Sequence, residues 1–191
     1  MNLNKLFKTQ AELDKKIVEE KGLQGQDLLD KKILALQVEL GELANEHRGF
    51  KFWSEDREPR TGILIECEKC GGSGRDYYGY CGNCHGGYVG KTNPLLEEYV
   101  DCLHFILSIG NDLEFVVSNT EVMRQESITD ALLDLFELVS TLSWNIDSDN
   151  YSVLLARFIE LGEKLGFTWE QVVDAYYKKN EINHERQENG Y

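Results

Sequence analysis

Apolar residues return every three or four positions along almost the whole chain, and the rhythm fails in one place, at about residues 63–91. Four of the five cysteines lie there, as Cys67-x2-Cys70 and Cys81-x2-Cys84, and eight of the chain's 17 glycines fall between Gly71 and Gly90. Two CxxC knuckles joined by a short glycine-rich loop present four sulfurs to one tetrahedral ion, so Cys67, Cys70, Cys81 and Cys84 are expected to hold zinc. His85 is a possible substitute ligand, but four thiolates already fill such a site. The competing reading is a redox or disulfide pair, and a disulfide framework needs an oxidising compartment that nothing in the chain implies. Cys102 stands apart in an apolar helical pattern and reads as a small buried side chain.

On either side of this segment the spacing predicts helices. Leu3, Leu6, Leu13 and Ile17 mark a first helix over residues 3–20, broken by Gly22, and a second runs from about Asp27 to Arg48. Asn93-Pro94 reads as an N-cap followed by proline at the first helical position, opening a third helix through Leu95, Leu103 and Ile109. Ser127 with Asp130 resembles a capping box for a fourth, a fifth spans roughly Tyr151 to Leu165, and Thr168 with Gln171 opens a sixth. The expectation is an all-α fold: one domain over 1–191, a bundle of about six helices, with a small zinc knuckle inserted between the second and third at about 63–91. A 41% hydrophobic content supports a core for it. No stretch approaches the ~20 apolar residues of a membrane span, and the start has no signal-like apolar run. The expected location is therefore cytoplasmic, with no membrane partner. A formal charge of −14 argues against binding a nucleic-acid polymer, whose footprint is basic. It leaves a nucleotide substrate open, because bound cations reverse the field of an acidic pocket.

The acidic residues have their own pattern. The second helix carries Glu39-x2-Glu42, with Glu46 a turn further on, and the third carries Glu98-x2-Asp101. Residues three apart share a helix face, and both pairs sit in apolar runs that turn them toward the bundle or its rim. Four carboxylates converging there repel one another and raise their pKa values, a conflict that hard divalent cations such as magnesium relieve. A solvated acidic stripe is the bland alternative. A di-iron bundle is another, but it needs two Glu-x-x-His motifs and the chain offers only Asp101-x2-His104.

These residues resemble a known family. Val38 to Glu46, then Phe50-Lys51-Phe52-Trp53-Ser54, then Leu96 to Asp101 are similar to the dimeric, all-α dUTPases, within the all-α nucleoside triphosphate pyrophosphatases whose signature is ExxE followed by ExxD. Lys179-Asn180-x2-Asn183-x2-Arg186-Gln187-x2-Gly190-Tyr191 is similar to that family's closing motif, and Leu6-x3-Gln10-x2-Leu13-Asp14 to its opening helix. The resemblance implies magnesium-dependent hydrolysis of dUTP to dUMP and pyrophosphate by a homodimer. It makes Glu39, Glu42, Glu98 and Asp101 the Mg2+ ligands and catalytic residues, with Glu39 orienting or deprotonating the attacking water. It assigns Lys179, Arg186, Asn183 and Tyr191 to the phosphates, and Gln10, Asp14 and Trp53 to the base.

Asp14 stands where the family often has asparagine, and an ionised carboxylate only accepts hydrogen bonds. That leaves cytosine, with its donor amino group, as an alternative base, so dCTP or another nucleotide is a competing substrate. The knuckle is a second departure: Cys67-Glu-Lys-Cys70-Gly-Gly-Ser-Gly74 resembles the cysteine-rich modules of J-proteins. Four thiolates leave no open position for catalysis, so its Zn2+ is expected to be structural. A zinc-knuckle adaptor without enzymatic activity is the reading from a different class.

Overall fold

The computed structural model describes residues 2–115 and 127–190. They form the expected bundle: α1 (Leu3–Glu20), α2 (Leu29–His47), α3 (Pro94–Asp112), α4 (Ile128–Leu142), α5 (Ser148–Lys164) and α6 (Trp169–Glu188). Between α2 and α3 stands the cysteine-rich insertion. Its stem is a strand pair that the helical reading did not include, β1 (Ile63–Glu66) antiparallel to β4 (Tyr88–Thr92), with Ile63 opposite Thr92 and Ile65 opposite Gly90. A short hairpin, β2 (Arg75–Asp76) with β3 (Gly79–Tyr80), lies between them. The Ile-Leu-Ile run at 63–65 suits a pleated surface, and the four residues of β1 are too few to show a period.

The helix starts follow their caps. The Asn93 side chain accepts from Leu96 N–H with Pro94 in the first turn, and Thr168 and Gln171 form a reciprocal capping box. Ser127 accepts from Asp130 N–H at the start of α4. Helix α5 begins three residues before Tyr151 because Asp147 caps it, taking the N–H groups of Asp149 and Asn150 at 2.8 Å.

Helix α3 is the axis of the molecule, packed against α1, α2, α5 and α6. It is buried over most of its surface, as a central helix must be. Two close approaches fix its neighbours. At Gly110, a Cβ would lie 2.3 Å from the Tyr151 hydroxyl, and at Gly162 on α5 a Cβ would lie 2.5 Å from that of Tyr99. Both tyrosines are fully buried, and each hydroxyl donates to a helix carbonyl: Tyr151 to Ile106 at 2.7 Å and Tyr99 to Phe158 at 3.1 Å. Cys102 is likewise fully buried in this core. Helices α2 and α3 run antiparallel, since Lys32 near the start of α2 pairs at 2.6 Å with Asp112 at the end of α3. That arrangement sets the middle of α2 beside the first turns of α3, where the acidic pairs lie.

Candidate active site

Glu39 of α2 and Glu98 and Asp101 of α3 each bring one carboxylate oxygen to within 4.8 Å of the others. The fourth predicted ligand, Glu42, stays exposed outside this triad, yet its charge reaches both glutamates. Glu46 leaves the group altogether and pairs with Arg60 at 3.0 Å. Partial burial, then the charges of Asp101 and Glu42, push the Glu39 carboxyl up to about 7. Burial and the same acidic neighbours do this to Glu98, also to about 7. Asp101 is raised by burial, against the pull of the Lys179 ammonium, which it meets at 2.5 Å. Three oxygens so close, with carboxyls this reluctant to ionise, form a hard-ligand set suited to a divalent cation.

Glu39 and Asp101 of the triad line a cleft of about 320 Å³ formed by residues of α1, α2, α3 and α6. Lys179, Asn183 and Arg186 of α6 line it, on successive turns, with Arg186 Nη1 3.5 Å from Asn183 Oδ1. Gln10 and Asp14 of α1 line it too. Tyr191 lies outside the described residues. Trp53 does not line the cleft: it sits in the loop after α2, 66% exposed, edge-on to Phe50 and Phe52. The chain leaves α2 through Arg48, a non-glycine residue in the left-handed region (φ 65°) that is held by its guanidinium on the Asp56 carbonyl. This turn carries the aromatic run to the surface.

The α1 end of the cleft holds a hydrogen-bond network that the sequence reading did not assemble. Gln10 Nε2 donates to Asp14 Oδ1 at 2.7 Å, and the Ser108 hydroxyl donates to Asp14 Oδ2 at 2.6 Å. A carboxylate only accepts, so it orients the Gln10 amide and turns Oε1 toward the Tyr176 hydroxyl (2.9 Å) and His104 Nδ1 (2.7 Å). Both must then donate, which places the His104 proton on Nδ1. Burial, with the Lys179 charge, lowers His104 to about 3, so the ring is neutral. Its Nε2 is left as a buried acceptor without a partner among the described residues. Burial raises Asp14, against its bonds from Ser108 and Gln10. The signal for His104 and Ser108 was available, since both continue the Asp101 face at i+3 and i+7. Tyr176, stacked on His104 at 4.3 Å, had none.

The four cysteines of the insertion form a second cluster. Cys67 and Cys81 sulfurs stand 3.9 Å apart and those of Cys70 and Cys84 3.7 Å, with all four ligand atoms within 4.8 Å of one another. Tetrahedral bonds of ~2.3 Å to one ion require sulfurs ~3.8 Å apart, whereas a disulfide holds them near ~2.05 Å. The site therefore fits one tetrahedral metal ion and no disulfide. Gly87 serves the packing of the two knuckles: its φ is +103°, and a Cβ there would sit 2.0 Å from the Gly72 carbonyl oxygen. His85 takes no part and pairs with Tyr88 through the backbone.

No match was found among curated proteins. The dUTPase family matches residues 2–69 and 88–191, leaving out residues 70–87, the segment that carries Cys70, Cys81 and Cys84. Both acidic helices, the cleft-lining part of α6 and the α1 network lie within the matched stretches, so the chain belongs to the dUTPase family, a family of nucleoside triphosphate pyrophosphatases.

Proposed function

We propose that the protein hydrolyses dUTP to dUMP and pyrophosphate with magnesium held by Glu39, Glu98 and Asp101, and with Glu42 at the exposed rim of the group adding its charge. One observation carries this reading: Glu39 and Asp101, two of three clustered carboxylates with raised pKa values, line the same cleft as a lysine–arginine pair. When bound, the magnesium neutralises charge on the substrate phosphates and acidifies the attacking water. Glu39 orients that water toward the α-phosphorus and accepts its proton. The bond from the α-phosphorus to the bridging oxygen breaks. Lys179 and Arg186 then stabilise the charge that builds on the departing pyrophosphate. Tyr191 joins Asn183 at the phosphates in this reading.

The α1 end of the cleft takes the base. His104 Nε2 and Asp14 face it as acceptors, and N3–H of uracil is the donor that uracil offers. The cytosine amino group is also a donor, so the acceptor character of Asp14 gives dCTP the second claim. Trp53 could reach the base only if its loop folded over the cleft, or if it came from a second copy.

A homodimer is supported by an apolar strip on the packed pair α2 and α4, where Leu34, Val38 and Leu133 are each more than half exposed. Zinc is the ion we assign to the cysteines, in a structural role, and free thiols of this kind suit a reducing cytoplasm. No described helix is long and apolar enough to cross a membrane.

The test is phosphorus NMR on a panel of deoxynucleoside triphosphates with magnesium. Pyrophosphate and monophosphate from dUTP alone would establish the reading. Equal release from dCTP would move the assignment to a relaxed pyrimidine pocket, and no turnover by folded, zinc-loaded protein would favour the adaptor.

A further inference from the structure

A second cavity, of about 380 Å³, opens on the other side of the Lys179–Arg186 pair. It lies between the stem of the cysteine knuckle and helix α6. Its floor is apolar, with Leu96, Val100 and Ile182 among its residues, but Lys91, Lys178, Lys179 and Arg186 also line it. Four cations around one cavity are conspicuous in a chain of formal charge −14. The acid that faces them, Glu97, is engaged by the Thr92 hydroxyl. Two of the cations also line the catalytic cleft, so the two cavities meet at Lys179 and Arg186. Lys91 comes from β4 of the knuckle stem, and its side chain passes over Gly62, where a Cβ would lie 1.9 Å from its Cε.

We propose that this second cavity binds the two terminal phosphates of the substrate, and afterwards the pyrophosphate, with Lys91 and Lys178 as binding residues. The proposal rests on the pyrophosphatase reading for the order of groups along the substrate: base toward α1, α-phosphate beside the carboxylate triad, terminal phosphates beyond Lys179. A role for the inserted knuckle follows. Its stem supplies one wall of the anion site, so the ion on the four cysteines, by holding β1 against β4, helps to set affinity for the phosphate tail while the chemistry stays in the bundle.

The test is calorimetric titration of the full-length, zinc-loaded protein with inorganic pyrophosphate in the presence of magnesium. Replacing one phosphate-contacting lysine is expected to weaken binding about fivefold to tenfold, so Lys91→Ala and Lys178→Ala should each lose that much. Lys91→Arg, which keeps the charge, should stay within about twofold. Both lysines are exposed, so the variants should fold, and circular dichroism checks that they do. Unchanged affinity in both alanine variants, with Lys179→Ala impaired, would overturn the proposal. So would wild-type protein that hydrolyses dUTP but does not bind pyrophosphate. Protein that turns over no nucleotide, yet binds pyrophosphate in a Lys91- and Lys178-dependent way, would support the anion site and remove only the pyrophosphatase reading.

Discussion

Among the described residues, two clusters of side chains could hold a metal ion, and they are built in opposite ways. The four thiolates come from one short stretch whose own turns bring them together, with little else to hold that stretch: every residue of β1 and all of β4 but Thr92 are exposed. The three carboxylates come from two helices separated by the whole insertion and meet only because α2 packs against α3 over a buried core. The knuckle is therefore expected to need a bound ion for stability, as small metal domains do. The bundle instead stands on its own packing and tolerates repulsion among its acids. The difference teaches where function can be altered. Metal loss in the first region should unfold a part, and in the second should stop a reaction.

Glu39→Gln offers the sharpest break of this contrast. Removing the proposed base should lower kcat by about 10²–10⁴-fold, with zinc content and melting temperature nearly unchanged. Glu42→Gln, at the exposed rim, should cost about tenfold or less under saturating magnesium. Equal losses from the two would mean that Glu42 swings fully into the cluster. A second break acts on the knuckle: Cys67→Ser should abolish metal retention and strip hydrogen-exchange protection from residues 63–92, while protection in α3 persists. Loss of protection throughout α3 would show that the two regions fold as one.

Packing gives a third comparison. Gly162→Ala forces a methyl group against the buried Tyr99 hydroxyl and should destabilise the bundle by about 1–3 kcal/mol in chemical denaturation. The same substitution should leave zinc affinity untouched.

The smallest effect concerns pH in magnesium-free buffer. The folded protein holds Glu39 and Glu98 at about 7, above their ordinary value of 4.5. The stability that their protonated forms contribute is complete below about pH 4.5 and is lost as pH rises through 7. His104, held low by burial, acts in the opposite direction as pH falls. The clean readout is therefore a difference: Glu98→Gln should gain melting temperature relative to wild type between pH 5 and 8, and saturating magnesium should erase the gain.

Much of this was legible in the residues, and the rest was not for physical reasons. The caps at Asn93, Ser127 and Thr168 marked helix starts because a side chain's bond to the backbone two or three residues on is a local event. Asp147 escaped because it lies ahead of the first apolar residue of α5, where periodicity has nothing to register. The thiolate cluster was readable from spacing alone. The acidic pairs could be placed on their helix faces, but that Glu42 stays exposed outside the group follows from how α2 and α3 pack, which no spacing encodes. The resemblance assigns Trp53 to the base, and no spacing shows that the left-handed turn at Arg48 leads into a loop where it stands exposed and outside this cleft. The Gln10–His104–Tyr176 network joins α1, α3 and α6, and contacts across that much chain are the ones a single sequence hides.

In the proposed reaction the carboxylate cleft directs water to the α-phosphorus of a deoxyuridine triphosphate. Hydrolysis of dUTP in water enriched in oxygen-18, followed by phosphorus NMR, tests it directly. The isotope-shifted signal is expected on dUMP, with unlabelled pyrophosphate, and Glu39→Gln should form both products at least about a hundredfold more slowly. Label in pyrophosphate or in inorganic phosphate, or undiminished turnover by Glu39→Gln, would rule this mechanism out.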